Sequence, residues 1–167
     1  MSGIAKRVEI VANIAIIIVG MLLTIVLVRN YILPQRESSR PPQITVGSRI
    51  SISGVDWIKN HRTLVLALQK DCHFCTESAP FYKRVVENAA RSGKVRLVAV
   101  MPNNSKDAGS YLKRLDIPIE DVHQIPLDVI RVRGTPTLIL VDHSGVVANV
   151  WFGKLDEGRE LEVLSQL

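Results

Sequence analysis

The sequence predicts an α/β domain, with helices packed on a mixed sheet in a three-layer sandwich, preceded by one apolar helix at the N-terminus. Three observations carry this expectation. Thr63–Leu68 (TLVLAL) and Val95–Met101 (VRLVAVM) are short, nearly continuous apolar runs, as expected of strands buried on both faces. Helical patterns follow each of them. Thr137–Val141 (TLILV) and Val146–Trp151 (VVANVW) flank the turn-rich tetrapeptide Asp142-His143-Ser144-Gly145, which reads as a hairpin. The order β-α-β-α-β-β-α places parallel strands at the centre of the sheet and an antiparallel pair at one edge.

The chain divides into four parts. Residues 1–9 form a short tail, and residues 10–29 a transmembrane anchor. Within the anchor, Ile10–Val28 (IVANIAIIIVGMLLTIVLV) is nineteen residues without a charge. A helix of that length spans about 28 Å at ~1.5 Å per residue, close to the ~30 Å hydrocarbon core of a bilayer. A cleaved signal peptide would have a shorter apolar core and a small-x-small cleavage site, but Arg29-Asn30-Tyr31 follows instead. Flanking positive charges nearly balance: Lys6 and Arg7 on one side, Arg29, Arg36 and Arg40 on the other. A short tail before a globular domain then predicts a signal anchor, with the domain on the exported, periplasmic or extracytoplasmic side of the inner membrane. Residues 30–46, rich in Pro, Ser, Gln and Arg, read as a tether. The folded domain occupies residues 47–167.

Charge excludes one large class of function. The net charge is +5, of which residues 1–40 supply +3, beside the bilayer where basic groups meet anionic lipid. The remainder has no basic block, so no nucleic-acid partner is expected.

Along the domain, Cys72–Ser92 reads as one helix with Phe74, Phe81, Val85, Val86 and Ala89 on its apolar face. Pro80 should kink it and Gly93 stop it. Ser105–Leu115 and Asp156–Leu167 read as further helices. Trp57, Phe81, Tyr82, Trp151 and Phe152 read as packing residues, and His61, His123 and His143 as solvated residues of loops or turns.

The chemistry lies in Cys72-His73-Phe74-Cys75, which contains both cysteines of the chain. Such a pair at the start of a helix can close a disulfide, open it, and pass two electrons to another dithiol. Cys72, in the first turn, would be the nucleophile, its thiolate favoured by unpaired backbone N–H groups and the helix dipole. His73 would favour that thiolate further if protonated, and the Asp71 carboxylate would oppose it. Asp71 also reads as the N-cap of the helix.

These residues, with two further anchors, give the chain a resemblance to the thioredoxin-fold family over approximately residues 47–167. Ala79-Pro80 lies where the family has its kinking proline. Arg133-Gly134-Thr135-Pro136-Thr137, followed by LILV, is similar to its cis-proline loop and the strand after it, and Gly153 fits its glycine near the end of the last strand. The resemblance is nearest to membrane-tethered bacterial members, which share a segment like Ser110–Pro136. It implies a thiol–disulfide oxidoreductase without a cofactor. Its catalytic residues would be Cys72 and Cys75, with Asp71, His73 and Phe74 tuning them. Gly134, Thr135 and Pro136 would form the client-binding loop.

Two departures stand out. Asp71 replaces the family's usual tryptophan, and its buried carboxylate and partner lysine fall at Leu66 and about Val100. Cys75 should then lack a proton acceptor, unless Glu77, Lys70 or water assists.

The implied partners are exported protein thiols or disulfides, an electron-exchange protein at the membrane, and the bilayer itself. A reductant, as in cytochrome c assembly, is the leading expectation; an oxidant or isomerase is the alternative within the fold. Outside it, the two thiols and a histidine could deliver copper, although a closed zinc site needs four ligands. Haem attachment is excluded by Thr76 after Cys75. A peroxiredoxin lacks support, because Gln69 stands where its threonine would be.

Overall fold

The computed structural model describes residues 2–28, 42–59 and 61–167, divided into two units, one within 1–40 and a compact one from 41 to 167. The expected tether, apart from its last residues, lies outside the described residues.

The first unit is helix α1, Ser2–Leu27. None of its described side chains from residue 12 to residue 27 is buried. The hydroxyl in this apolar run is satisfied internally, since Thr24 Oγ1 donates to the Gly20 carbonyl at 2.8 Å. Among the described residues no helix is long and apolar enough to cross a membrane.

The second unit is built on five strands: β1 (Arg62–Ala67), β2 (Val95–Met101), β3 (Val122–Gln124), β4 (Thr137–Asp142) and β5 (Val147–Phe152). Their spatial order is β3-β2-β1-β4-β5. β1 runs parallel to β2, and β2 to β3, whereas β4 pairs antiparallel with both β1 and β5. The mixed sheet is thus as the apolar runs predicted, with one strand more. β3 escaped the sequence reading because three residues, two of them His123 and Gln124, are too few and too polar to show a period. His123 is accordingly not a solvated loop residue: it sits half-buried in β3, with Nε2 2.8 Å from Asp121 Oδ1.

Alternation along the central strands sends side chains to two cores. Leu64, Leu66 and Leu68 face one side, with Ala99, Met101, Leu138, Leu140 and Trp151. Helices α3 (Ala79–Ser92), α4 (Ser105–Arg114) and α5 (Glu157–Ser165) all pack on this side, through residues such as Phe81, Tyr82, Tyr111, Leu112 and Val163. Val65, Ala67, Val98, Val100, Ile139 and Val141 face the other side, where Ile44, Ile50, Ile52, Ile130 and Val132 cover them. The sheet therefore has a covering layer on each face. The third layer exists, but non-helical chain forms it. Ile44 is 2% exposed and its N–H donates to the Arg131 carbonyl at 2.9 Å, so the compact unit begins ahead of residue 47.

The same N-terminal stretch shields the edge of the sheet. Gly47 N–H donates to Val147 O, and Val147 N–H to Ser48 O, which occupies groups that an open edge strand would leave exposed. The hairpin between β4 and β5 turns on Asp142, whose Oδ1 accepts from the Ser144 N–H, the Ser144 hydroxyl and the Val146 N–H. The Ser144 hydroxyl above all holds this carboxyl below its ordinary range. Gly145 closes the turn at φ +79°, where a Cβ would stand 3.1 Å from Trp57 Cδ1.

Candidate redox site

β1 delivers the chain to the site. The strand is buried from Thr63 to Ala67, and the loop after it is fixed by Lys70 N–H donating to Asn103 Oδ1 at 3.2 Å. Helix α2 (His73–Glu77) starts here. The single helix expected over Cys72–Ser92 is instead two, separated at Ser78. Pro80 has no N–H to offer the Thr76 carbonyl, so the ladder breaks. Ser78 mends the gap by donating both its N–H and its hydroxyl to Phe74 O, at 3.1 and 2.8 Å.

Cys72 and Cys75 form a disulfide, with their Cα atoms 5.2 Å apart. Cys72 is half-exposed and Cys75 fully buried. Cys72 is also the N-cap of α2: its sulfur accepts the Cys75 N–H at 3.0 Å. The cap expected of Asp71 is thus taken by the cysteine itself, and Asp71 is exposed. Opposite stands the Thr135 carbonyl oxygen, 3.3 Å from the Cys72 sulfur, ready to accept from the thiol once the pair is reduced.

That carbonyl is placed by the loop before β4. The Thr135–Pro136 peptide is cis. The Thr137 hydroxyl donates to Gly134 O at 2.7 Å, and Gly153 N–H donates to Pro136 O at 2.8 Å, which ties the loop to the end of β5. Pro136 is buried, Thr135 half-buried and Gly134 exposed. The structure thus brings Cys72, Cys75, Thr135 and Pro136 together, although Thr135 and Pro136 follow more than sixty residues later in the chain.

The surroundings of Cys75 are apolar. Its cluster includes Leu66, Ala99 and Met101. Leu66 pairs with Ala99, whereas Val100 faces the opposite core. The position beside Leu66 is therefore Ala99 rather than Val100, and both are apolar. Glu77, named from the sequence as an aid to Cys75, is engaged at the surface instead. Its Oε1 lies 3.0 Å from His73 Nε2 and its Oε2 is 2.9 Å from Lys154 Nζ. The Lys154 bond above all, together with the charge of His73, holds the Glu77 carboxyl below its ordinary range. The i,i+4 spacing of His73 and Glu77 was visible in the sequence; Lys154, 77 residues further on, gave no signal.

Phe74 is 53% exposed and tilts against His73, with ring centroids 5.6 Å apart. Tyr82 is buried in the same core cluster as Cys75, and burial pushes its phenol well up. Among the described residues no group of three or more His, Cys, Asp or Glu side chains converges to hold a metal.

No protein-family model matches this sequence, and no curated protein matches it. Solved structures do. A thioredoxin-family thiol:disulfide interchange protein from Chlorobium tepidum TLS superposes with a TM-score of 0.56 at 20% identity, over 78% of this chain and 98% of that one. The exposed lipoprotein thioredoxin Etrx1 of Streptococcus pneumoniae TIGR4 gives 0.52 at 21%, over 66% and 87%. A thiol-disulfide isomerase from Corynebacterium glutamicum gives 0.53 at 17%, over 77% and 96%. Sheet order, the cis-proline loop against the cysteine pair and these superpositions agree: this chain has the thioredoxin fold.

Proposed function

We propose that the chain is a membrane-anchored thiol–disulfide oxidoreductase that gives electrons to exported proteins. The observation that carries the reading is the asymmetric pair, a half-exposed Cys72 capping α2 and facing the Thr135 carbonyl, with Cys75 buried behind it. In the forward direction the Cys72 thiolate attacks a client disulfide and forms a mixed disulfide, expelling one client thiolate. Cys75 then attacks the Cys72 sulfur, releases the second client thiol and closes the Cys72–Cys75 bond. The client leaves with two electrons, and the protein awaits a dithiol donor. The backbone at Thr135, beside the exposed sulfur, suits an extended client segment laid alongside it.

The environment of Cys72 supports donation rather than oxidation. Strong oxidants owe their potential to a stabilised thiolate. Here the sulfur has one backbone N–H, offset by a carbonyl that favours the thiol, and His73 turns to Glu77. Cytochrome c assembly, which needs exported thiols kept reduced, is the client pathway that this direction fits.

The anchor rests on the full run Ile10–Val28, nineteen uncharged residues, and on α1 as a helix none of whose described side chains is buried. Residues 10–29 then enter the inner membrane and the compact unit lies on the exported side. Residues 1–9 precede the span as a tail, and residues 30–40 tether it to the compact unit. The test of direction is the reduction potential of the Cys72/Cys75 couple in the full chain in detergent micelles. A value near ~ −270 mV or lower supports a donor, one nearer ~ −120 mV an oxidant or isomerase. A pair that does not titrate would return the question to copper.

A further inference from the structure

Glu77 sits outside the chemistry of the disulfide, yet it holds two groups at the mouth of the site. His73 follows Cys72 directly in the chain, and its Nε2 lies 3.0 Å from one Glu77 oxygen. Lys154 follows Gly153, whose N–H donates to Pro136 O, and its Nζ lies 2.9 Å from the other. One carboxylate therefore bridges the redox helix to the loop that supports Pro136. The His73 ring is drawn one turn along the helix, toward Glu77 and away from the Cys72 end. The charged or titratable residues on the segments that form the site are Lys70 and Asp71 ahead of α2, His73 and Glu77 on it, Arg133 on the Pro136 loop, and Lys154 after β5.

We propose that Glu77 is a positioning residue for the redox pair: by binding Lys154 and the His73 ring it draws positive charge and hydrogen-bond donors away from the Cys72 sulfur, and so makes the couple a stronger electron donor. The argument is electrostatic. A cation near a thiolate stabilises the reduced protein, and an anion that pairs with that cation removes most of the benefit. The bridge is accessible, with the side chains of His73, Glu77 and Lys154 being 77%, 37% and 50% exposed, so the effect is modest and screened by salt. The inference rests on the oxidoreductase reading but not on its direction, because it concerns the difference between two variants.

The experiment equilibrates the full chain in detergent with glutathione buffers. Reduced protein passes two electrons and two protons to oxidised glutathione: the Cys72–Cys75 bond forms, the glutathione disulfide breaks, and two glutathione thiols leave. In Glu77→Gln the constant should move about two- to threefold toward reduced protein at low salt, and the shift should shrink near 1 M salt. The Cys72 thiolate should appear at lower pH in the same variant. Lys154→Gln should move the constant the opposite way, and Glu77→Gln in a His73→Ala background should move it clearly less. An unchanged constant in Glu77→Gln, a shift toward disulfide, or an equal shift with and without His73 overturns the proposal. A wild-type pair that never titrates removes the oxidoreductase reading with it, whereas a pair that titrates identically in wild type and Glu77→Gln removes this inference alone.

Discussion

Cys72 and Cys75 are three residues apart and share one bond, yet they lie in opposite surroundings. Cys72 is at the rim, half-exposed, with a backbone donor on one side and the Thr135 carbonyl on the other. Cys75 is fully buried in the core cluster that holds Leu66, Ala99 and Met101, with neither a carboxylate nor a lysine at the paired strand positions Leu66 and Ala99. Access from solvent belongs to the first, seclusion from it to the second. The difference is made by one turn of helix: the N-cap position leaves a side chain outside, and three residues later the chain points inward at the sheet.

The comparison breaks most sharply when either sulfur is removed. Cys72→Ser should abolish exchange with a client disulfide altogether. Cys75→Ser should still attack but accumulate the mixed disulfide, visible as a client adduct on a non-reducing gel. Adducts from Cys72→Ser instead would reverse the roles.

A gentler change alters the buried side alone. Leu66→Asp puts a carboxylate beside Cys75 in an apolar core. It should cost about 2–4 kcal/mol of stability in denaturant melts, since the buried charge has no partner. In stopped-flow single turnovers it should also speed release of the mixed disulfide about tenfold, because Cys75 gains a proton acceptor. A resolving rate that stays put would show that Cys75 already has an acceptor.

The smallest effect marks where the site ends. Asp142 lies at the far end of β4, opposite in strand direction to Thr137 beside the Pro136 loop. Asp142→Asn should leave the exchange rate unchanged while lowering the unfolding midpoint at pH 7 by about 2–4 °C. Its folded pKa is depressed, so the contribution is present above the unfolded value of 3.8 and is lost as pH falls through the lower folded value. Wild type and variant should therefore converge in thermal melts below that point.

What could be read from the sequence follows from which signals are local. The buried strands, the hairpin at Asp142–Gly145 and the Cys72/Cys75 pair are local patterns, and each stands where the residues put it. Three features needed the tertiary arrangement. β3 is set by pairing with β2 rather than by its own composition. The second face of the sheet is closed by residues whose apolar side chains, Ile44, Ile50, Ile130 and Val132, sit in stretches without a period. The neighbour of Leu66 depends on register, which a shift of one residue turns to the opposite core. Lys154 is a fourth case, legible only once the end of β5 lies beside α2.

The most direct test of this asymmetry is to alkylate the reduced full chain briefly at pH 7 and quantify modification of each cysteine by peptide mass spectrometry. The account expects Cys72 to react at least about tenfold faster than Cys75, as an accessible sulfur against a buried one. Equal labelling, or faster labelling of Cys75, would contradict it.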